Sequence, residues 1–259
     1  MSADDLRRWY DRWYGPNNAV VVVVGDVVPN EVHALAKKHF GPLAARDIPP
    51  PRSRPEVPQH GTKRVTFRSA KAKVPYLIMG FKAPVLVQAI SSATVGEWEI
   101  YALDVLAETL DGDASARFQR NLVRGREIAS EISAGFSSSS RLTSLFSFNA
   151  VPREGTSLAE LEQAILDEIE ALKKDPPSAE ELERIKTQVV ADTVFERDSM
   201  QHQAMIIGSL RAVGLDWRLK DTYVDAIKAV TREQVLEVAE KYLKREVLTV
   251  AYLLPEEAS

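Results

Sequence analysis

The chain contains no cysteine among its 259 residues. Disulfides, thiolate nucleophiles, thiolate zinc sites and iron–sulfur clusters are therefore excluded. The compartment stays undecided, because a cysteine-free chain is at home in the cytosol or the periplasm. Histidine is scarce as well, with four residues: His33, His39, His60 and His202. Long apolar runs are missing. The longest, Ala19 to Val24, falls far short of the roughly 20 residues a membrane-crossing helix requires, so no membrane span is expected. The first residues, Met-Ser-Ala-Asp-Asp, have neither a basic nor an apolar region, and no signal peptide is expected there. Positive charge is not in excess. The net charge of -4 and a pI near 5.7 argue against a broad electrostatic footprint for nucleic acid. What is present is a globular composition, 45% hydrophobic and 27% charged, in a chain long enough for one large domain or two smaller ones.

Local signals order the chain. Residues 2–14 read as a helix, with Ser2 and Asp5 placed as a capping box. Gly15-Pro16-Asn17-Asn18 stops it, and Ala19 to Val24 reads as a strand buried on both faces. A second helix begins near Pro29 and stops at Gly41-Pro42. Five prolines then fall within residues 48–58, which predicts a semi-rigid extended linker over residues 46–62. Beyond it, strands are expected at Arg64 to Phe67 and Tyr76 to Phe81, and helices from Glu97 to Leu110 and from Ser115 to Arg124. Two further strands, Glu127 to Phe136 and Leu145 to Val151, flank a polar loop at Ser137 to Ser140. The stripe Leu158, Leu161, Ile165, Ile169 and Leu172 marks a helix ended by Pro176-Pro177. Ser178 with Glu181 opens a long helix towards Gly214 with a break near Arg197 to Ser199. Thr231 with Gln234 opens the last helix, and Leu248 to Leu253 closes the chain as a strand.

The two ends of the chain echo each other. Ser2 precedes Leu6 by four, Trp13 by eleven and an apolar strand by about seventeen; Thr231 stands in the same relation to Val235, Tyr242 and the closing strand. This predicts one helix–strand unit drawn from two related modules. The fold class expected is α+β, two related modules of antiparallel-rich sheet covered by helices, the first only partial. The expected divisions are residues 1–45 as the tail of the first module, 46–62 as linker, 63–254 as the second module and 255–259 as a tail. A helix, a strand and a helix cannot bury their apolar faces alone, so residues 1–45 need a neighbour.

Asp5-Leu6, Trp9-Tyr10, Tyr14-Gly15-Pro16-Asn17-Asn18-Ala19, the valine run and Gly25-Asp26-Val27 together resemble a segment of the insulinase/pitrilysin family of zinc metallopeptidases. The Pro-rich linker and the order of elements after it resemble the family's second, inactive domain. So do Arg117-Phe118-Gln119 to Glu127-Ile128-Ala129, following the glycine turn at Gly112. The resemblance covers nearly the whole chain as the C-terminal portion of such a peptidase. It implies zinc in the intact parent, held by an inverted His-x-x-Glu-His motif whose Glu activates a metal-bound water. None of the four histidines here has that spacing, so no residue is assigned as a catalytic group or metal ligand, and the chain by itself carries no cofactor. The family also uses an Arg and a Tyr seven apart in this module. The matching positions are Val123 and Ser130, and a shift of one gives Arg124 and Glu131, which does not restore the pair.

The function implied is the C-terminal region of a zinc-dependent metalloendopeptidase. It would form part of a peptide-enclosing chamber without being catalytic by itself. The alternative is an inactive homologue serving as scaffold or as partner subunit of a metal-bearing peptidase. The partners implied are an upstream zinc-binding module or a subunit of the same family, and the peptide substrate of the assembly; a dimer is left open. Other sites weigh less than their plain alternatives. His33 and His39 read as surface residues. The serines 137–140 lack a nucleophile elbow and read as a polar hairpin. Arg120, Arg124 and Arg126 read as a solvated helix end rather than an anion site. Asp111 and Asp113 around Gly112 lack a calcium loop. Trp9, Tyr10, Trp13 and Tyr14 are expected to pack their helix onto its own sheet.

Overall fold

The computed structural model describes residues 1–50, 57–91 and 93–256. Residues 51–56 of the expected linker lie outside the described residues. Those around them, up to Ile48 and from Val57, run without regular structure. Val57 and Gln59 tack the chain down: Lys82 donates to the Val57 carbonyl at 2.9 Å, and Gln59 donates to the Leu248 carbonyl at 3.1 Å.

The chain is α+β. Five strands form one sheet: β1 (Lys63–Ser69), β2 (Tyr76–Ala83), β3 (Ala129–Gly135), β4 (Ser144–Pro152) and β5 (Thr249–Pro255), in the order β1-β5-β2-β4-β3. Only β1 and β5 run parallel; the other pairings are antiparallel. Alternation explains the sheet. Leu77, Met79 and Phe81 of β2 and Phe146, Phe148 and Ala150 of β4 share one face and are buried. On that face lie α4 (Glu97–Asp111), α5 (Leu158–Lys174) and α9 (Arg232–Tyr242). The expected stripe of α5 is buried throughout, and α4 adds Ile100, Leu103, Leu106 and Leu110. Phe81, Phe118, Phe146 and Phe148 meet edge-on or tilted at the centre, with centroid distances of 5.4–6.1 Å.

Buried charges lock the layers, each with its partners in place. Glu162 of α5 accepts Arg64 of β1 at 2.7 and 2.5 Å and Tyr252 of β5 at 2.6 Å. Glu99 of α4 accepts Lys241 and Tyr242 of α9, both at 2.6 Å. Arg117 forks onto Glu181 at 3.0 and 2.9 Å. Glu181 is therefore taken. At the start of α6 (Ala179–Glu196), Ser178 caps the Glu181 N–H at 3.1 Å, and the Glu181 side chain holds Arg117.

The long helix towards Gly214 breaks where expected, into α6 and α7 (Met200–Val213), and Gly214 takes the left-handed conformation at φ 91. The expected helix over residues 115–124 is present but starts at Arg117 and is widened over Gln119–Gly125, where Arg126 N–H reaches back five residues to Asn121 at 2.8 Å. Two helices have no counterpart in the sequence reading: α3 (Leu86–Ser91) and α8 (Leu219–Ala229).

Residues 1–48 hold α1 (Ala3–Trp13) and α2 (Pro29–Phe40). The echo is followed in detail. Helices α1 and α9 are both 11 residues long, both open with a complete capping box, and are followed at the same 229-residue offset by 3-10 turns at Pro16–Asn18 and Arg245–Val247. The segment after the turn then differs. Ala19 to Val24 is not the buried strand expected: among the described residues it pairs with no strand, and Val20, Val21 and Val23 are exposed. The aromatic residues of α1 likewise have no sheet beneath them. Trp9, Tyr10 and Tyr14 are exposed and contact one another, Tyr10 stacking on Tyr14 at 4.6 Å. Valine propensity favours an extended chain, but a strand needs neighbours to bond to, and none is within reach.

Candidate functional site

Among the described residues, the face of the sheet opposite the helices is largely uncovered, with Val57 held at its margin by Lys82. Its side chains follow the register in rows: Phe67, Leu253 and Tyr76 in one, Val65, Ala251, Ile78, Asn149 and Ser133 in the next, then Gly80 and Ser147. The surface is largely apolar and small, with Phe67 62% exposed at its margin. Sheets of two layers normally cover such a face. At its far side a recess of about 190 Å³ lies between Tyr76, Glu131, Ser133, Asn149 and Val151.

The two positions singled out by sequence are placed differently, Val123 against the core and Ser130 at the exposed surface. Val123 is half-buried against the core on the widened turn. Ser130 is the extra residue of a β-bulge, since the pairing of β3 with β4 slips between Ala129 and Glu131. Its hydroxyl bonds back to the carbonyls of Val151 at 3.2 Å and Pro152 at 3.4 Å. Arg124 and Glu131 are exposed.

The histidines do not converge. His33 and His39 are exposed on α2, His60 is exposed ahead of β1, and His202 lies on α7 with Nε2 3.0 Å from Glu196 Oε2. Among the described residues no group of three or more His, Asp or Glu is arranged to hold a metal. The donor set thus does not fit a zinc site, and no step through a metal is derived for these residues. The Ser137 and Ser140 hydroxyls bond to each other at 3.3 Å in the hairpin loop. Arg120 bonds to the neighbouring Asn121, and Asp113 pairs with Arg184.

A cleft of about 530 Å³ between α4, α6, α7 and α8 is the feature sequence reasoning missed. Val189, Ile206, Leu210 and Leu219 make its walls apolar, while Glu108, Asp192, Glu196 and Lys220 reach into it. Behind it lies Asp104, whose carboxyl is pushed up to about 8 by burial and by Glu108, against a hydrogen bond from Tyr223. Burial also raises Glu108, and Asp192, Asp111 and Asp113 add to it. Four separate helices supply these groups, so no local spacing announces them.

The Gly-Pro-Asn-Asn segment has a structural role. Asn17 exchanges two hydrogen bonds of 3.0 Å with the backbone of Arg46, and Asn18 caps the Trp13 carbonyl at 2.9 Å. A Cβ at Gly15 would stand 2.8 Å from Ile48 Cδ1 and 3.2 Å from Arg46 Cβ, so a larger residue at this crossing would have to displace those side chains.

Comparison with known proteins agrees with this architecture. The family described as peptidase M16 inactive domain matches residues 1–189. A zinc protease of Helicobacter pylori, PqqE, is 27% identical over 256 residues, covering 97% of this chain and 54% of that protein. An uncharacterized zinc protease of Bacillus subtilis, YmxG, is 23% identical over 98% of this chain and 57% of its own length. The crystal structure of a protease from Helicobacter pylori superposes with a TM-score of 0.86 at 25% identity, over 98% of this chain and 59% of that one. The chain thus spans little more than half the length of the curated relatives it matches.

Proposed function

Because this chain belongs to the peptidase M16 inactive-domain family, we propose that it is the C-terminal, non-metal-binding region of a zinc-dependent metalloendopeptidase and forms part of the wall of a chamber that encloses peptides. Residues 63–254 are the inactive module, and residues 1–45 are the tail of a first module joined to it by the linker 46–62. The supporting observation is the open sheet face. It is broad and carries apolar side chains beside Asn149, Ser133 and Ser147, while of the two positions singled out by sequence Val123 packs against the core and Ser130 spends its hydroxyl on backbone carbonyls. Such a face can hold an extended peptide by contact without taking part in bond cleavage. The zinc and the water it activates would come from an upstream module or a partner subunit. The substitutions at Val123 and Ser130 also suit a second reading, an inactive scaffold or partner of a metal-bearing subunit.

The chain alone is expected to retain no stoichiometric zinc after dialysis and to leave a quenched fluorescent peptide uncut. Joined to its metal-bearing half, it should support chelator-sensitive cleavage, with Phe67→Glu raising KM more than it lowers kcat. Chelator-sensitive cleavage by the pure chain would end the proposal. An intact protein that carries no zinc would leave the scaffold reading.

A further inference from the structure

The cleft between α4, α6, α7 and α8 has no part in the proposed function, yet it has the make-up of a small-molecule site. Its described lining runs from Leu86 to Tyr223, so nothing in residues 1–48 forms it. Its volume of about 530 Å³ falls within the roughly 300–1,000 Å³ usual for such sites. Two rings line it side by side: Tyr101 and Tyr223 meet edge-on, with centroids 6.0 Å apart. Val189, Ile206, Leu210 and Leu219 add aliphatic walls. Such a lining calls for a ligand with a hydrocarbon body.

The charge in the cleft calls for a cation on that body. Glu108, Asp192 and Glu196 line it, the last two one helical turn apart on α6. Lys220 is the only lysine or arginine among the described lining residues, and its ammonium is already paired with Asp221. Gln188 donates to both Asp192 oxygens, at 3.0 and 3.1 Å, and Glu196 lies 3.0 Å from His202 Nε2. Glu108 has no hydrogen bond or ion pair among the described residues. Burial and the like charges of Asp192, Asp111 and Asp113 all push its carboxyl up, and no cation opposes them. Its charge also acts on Tyr223, the ring beside it. An unpaired carboxylate next to tyrosine rings is a setting that an organic ammonium completes, through the ion pair and through contact with the rings.

We propose that this cleft binds a small organic amine, a primary ammonium on an apolar body, with the ammonium paired to Glu108 beside Tyr101 and Tyr223 and the body lying against Ile206, Leu210 and Leu219. Asp192 is the second anion in reach of the ammonium. A neutral apolar ligand would leave Glu108 without a counter-charge, and an anion would meet three carboxylates. A bare metal ion fits less well, because no three of the described His, Asp or Glu residues are arranged to hold one and aliphatic walls offer it nothing. The cleft lies in the helical layer, and the surface proposed for peptides is the opposite face of the sheet. The inference therefore does not rest on the proposed function, and the amine would bind without displacing a peptide.

Calorimetric titration with 4-phenylbutylamine tests this on the protein at its natural length with its accompanying subunits. One amine should bind per chain, at least tenfold more tightly than the neutral counterpart 4-phenylbutanol. Glu108→Gln should weaken the amine at least tenfold and leave the alcohol unchanged. Glutamine keeps the shape and removes a charge that burial already disfavours, so folding is not at stake. Asp192→Asn, at an exposed position, should weaken the amine severalfold. Absence of saturable heat overturns the inference, as does equal affinity for amine and alcohol. An amine affinity unchanged in both variants overturns it too. Peptide cleavage by the same sample reports on the proposed function separately, since neither variant touches the open sheet face.

Discussion

Replacing Arg117 by methionine isolates the cost of an orphaned buried carboxylate. The Arg117 side chain is 9% exposed and donates two bonds to Glu181, whose own side chain is 19% exposed. A third bond, 2.9 Å long, reaches the Asp175 carbonyl, which is exposed and can turn to water. Methionine keeps most of the apolar stem, so packing changes little. Glu181 loses its cation in a place where water reaches only part of it. Breaking a fully buried pair costs about 3–5 kcal/mol; the residual access of Glu181 brings this to about 2–3 kcal/mol, a large share of a typical stability of about 5–15 kcal/mol. The urea midpoint should fall by about 1 M. Removing the charge as well, in Arg117→Met with Glu181→Leu, should recover most of the loss; the Ser178 cap survives because its donor is the backbone N–H of residue 181. The bond from Arg117 holds the Glu181 carboxyl below its usual range. Its stabilisation is present above the unfolded pKa of about 4.3 and is lost as pH falls through the lower folded value. The single variant should therefore show a flatter acid limb. A midpoint shift under 0.2 M, a double variant as weak as the single one, or an unchanged acid limb would refute the reasoning.

Asp104 runs the other way. Its carboxyl titrates near 8 in the fold and near 4 when unfolded, so stability is fullest below about 4 and declines as pH rises towards 8. Asp104→Asn should abolish that decline and unfold later than the parent at pH 8.5, as followed by circular dichroism; a parallel pH profile in the variant would count against it. The paired caps give a second contrast. Thr231→Ala should cost about 1 kcal/mol of global stability because α9 is packed in the core, whereas Ser2→Ala should fray α1 with almost no change in the main urea transition. Equal effects would mean that α1 is coupled to the core after all.

Most of the regular structure was legible because its causes are local. Ser2, Ser178 and Thr231 announce their helices by a side chain that caps a nearby N–H, and each does so here. The alternation of β2 and β4 and the stripe of α5 name their buried faces directly. Helix α8 has no side-chain cap at Arg218; its start is marked only by Asp216, whose carboxylate accepts the Arg218 N–H at 3.0 Å, a signal the sequence reading passed over. The other misses have non-local causes. Trp9 and Tyr10 carry the pattern of a packed face, but pattern says what a face needs and not whether it is met. The same holds for the valine run, whose composition demands a sheet that these residues do not contain. The family was legible in Tyr14 to Ala19, a segment whose bonds to Arg46 and Trp13 explain its composition. The cleft behind Glu108 and Asp192 was not, because α4 and α6 bring those residues together across more than 80 positions.

Strand β1 touches the sheet through β5 and no other strand. The two are separated by nearly the whole module, so β1 has nothing to bond until some 180 later residues have been made and β5 has slid in between it and β2. Closing so long a loop comes late and slowly. A nascent chain would therefore wait with Val65 and Phe67 uncovered, and the surface most exposed to mispairing during synthesis is the same one that the finished sheet leaves open.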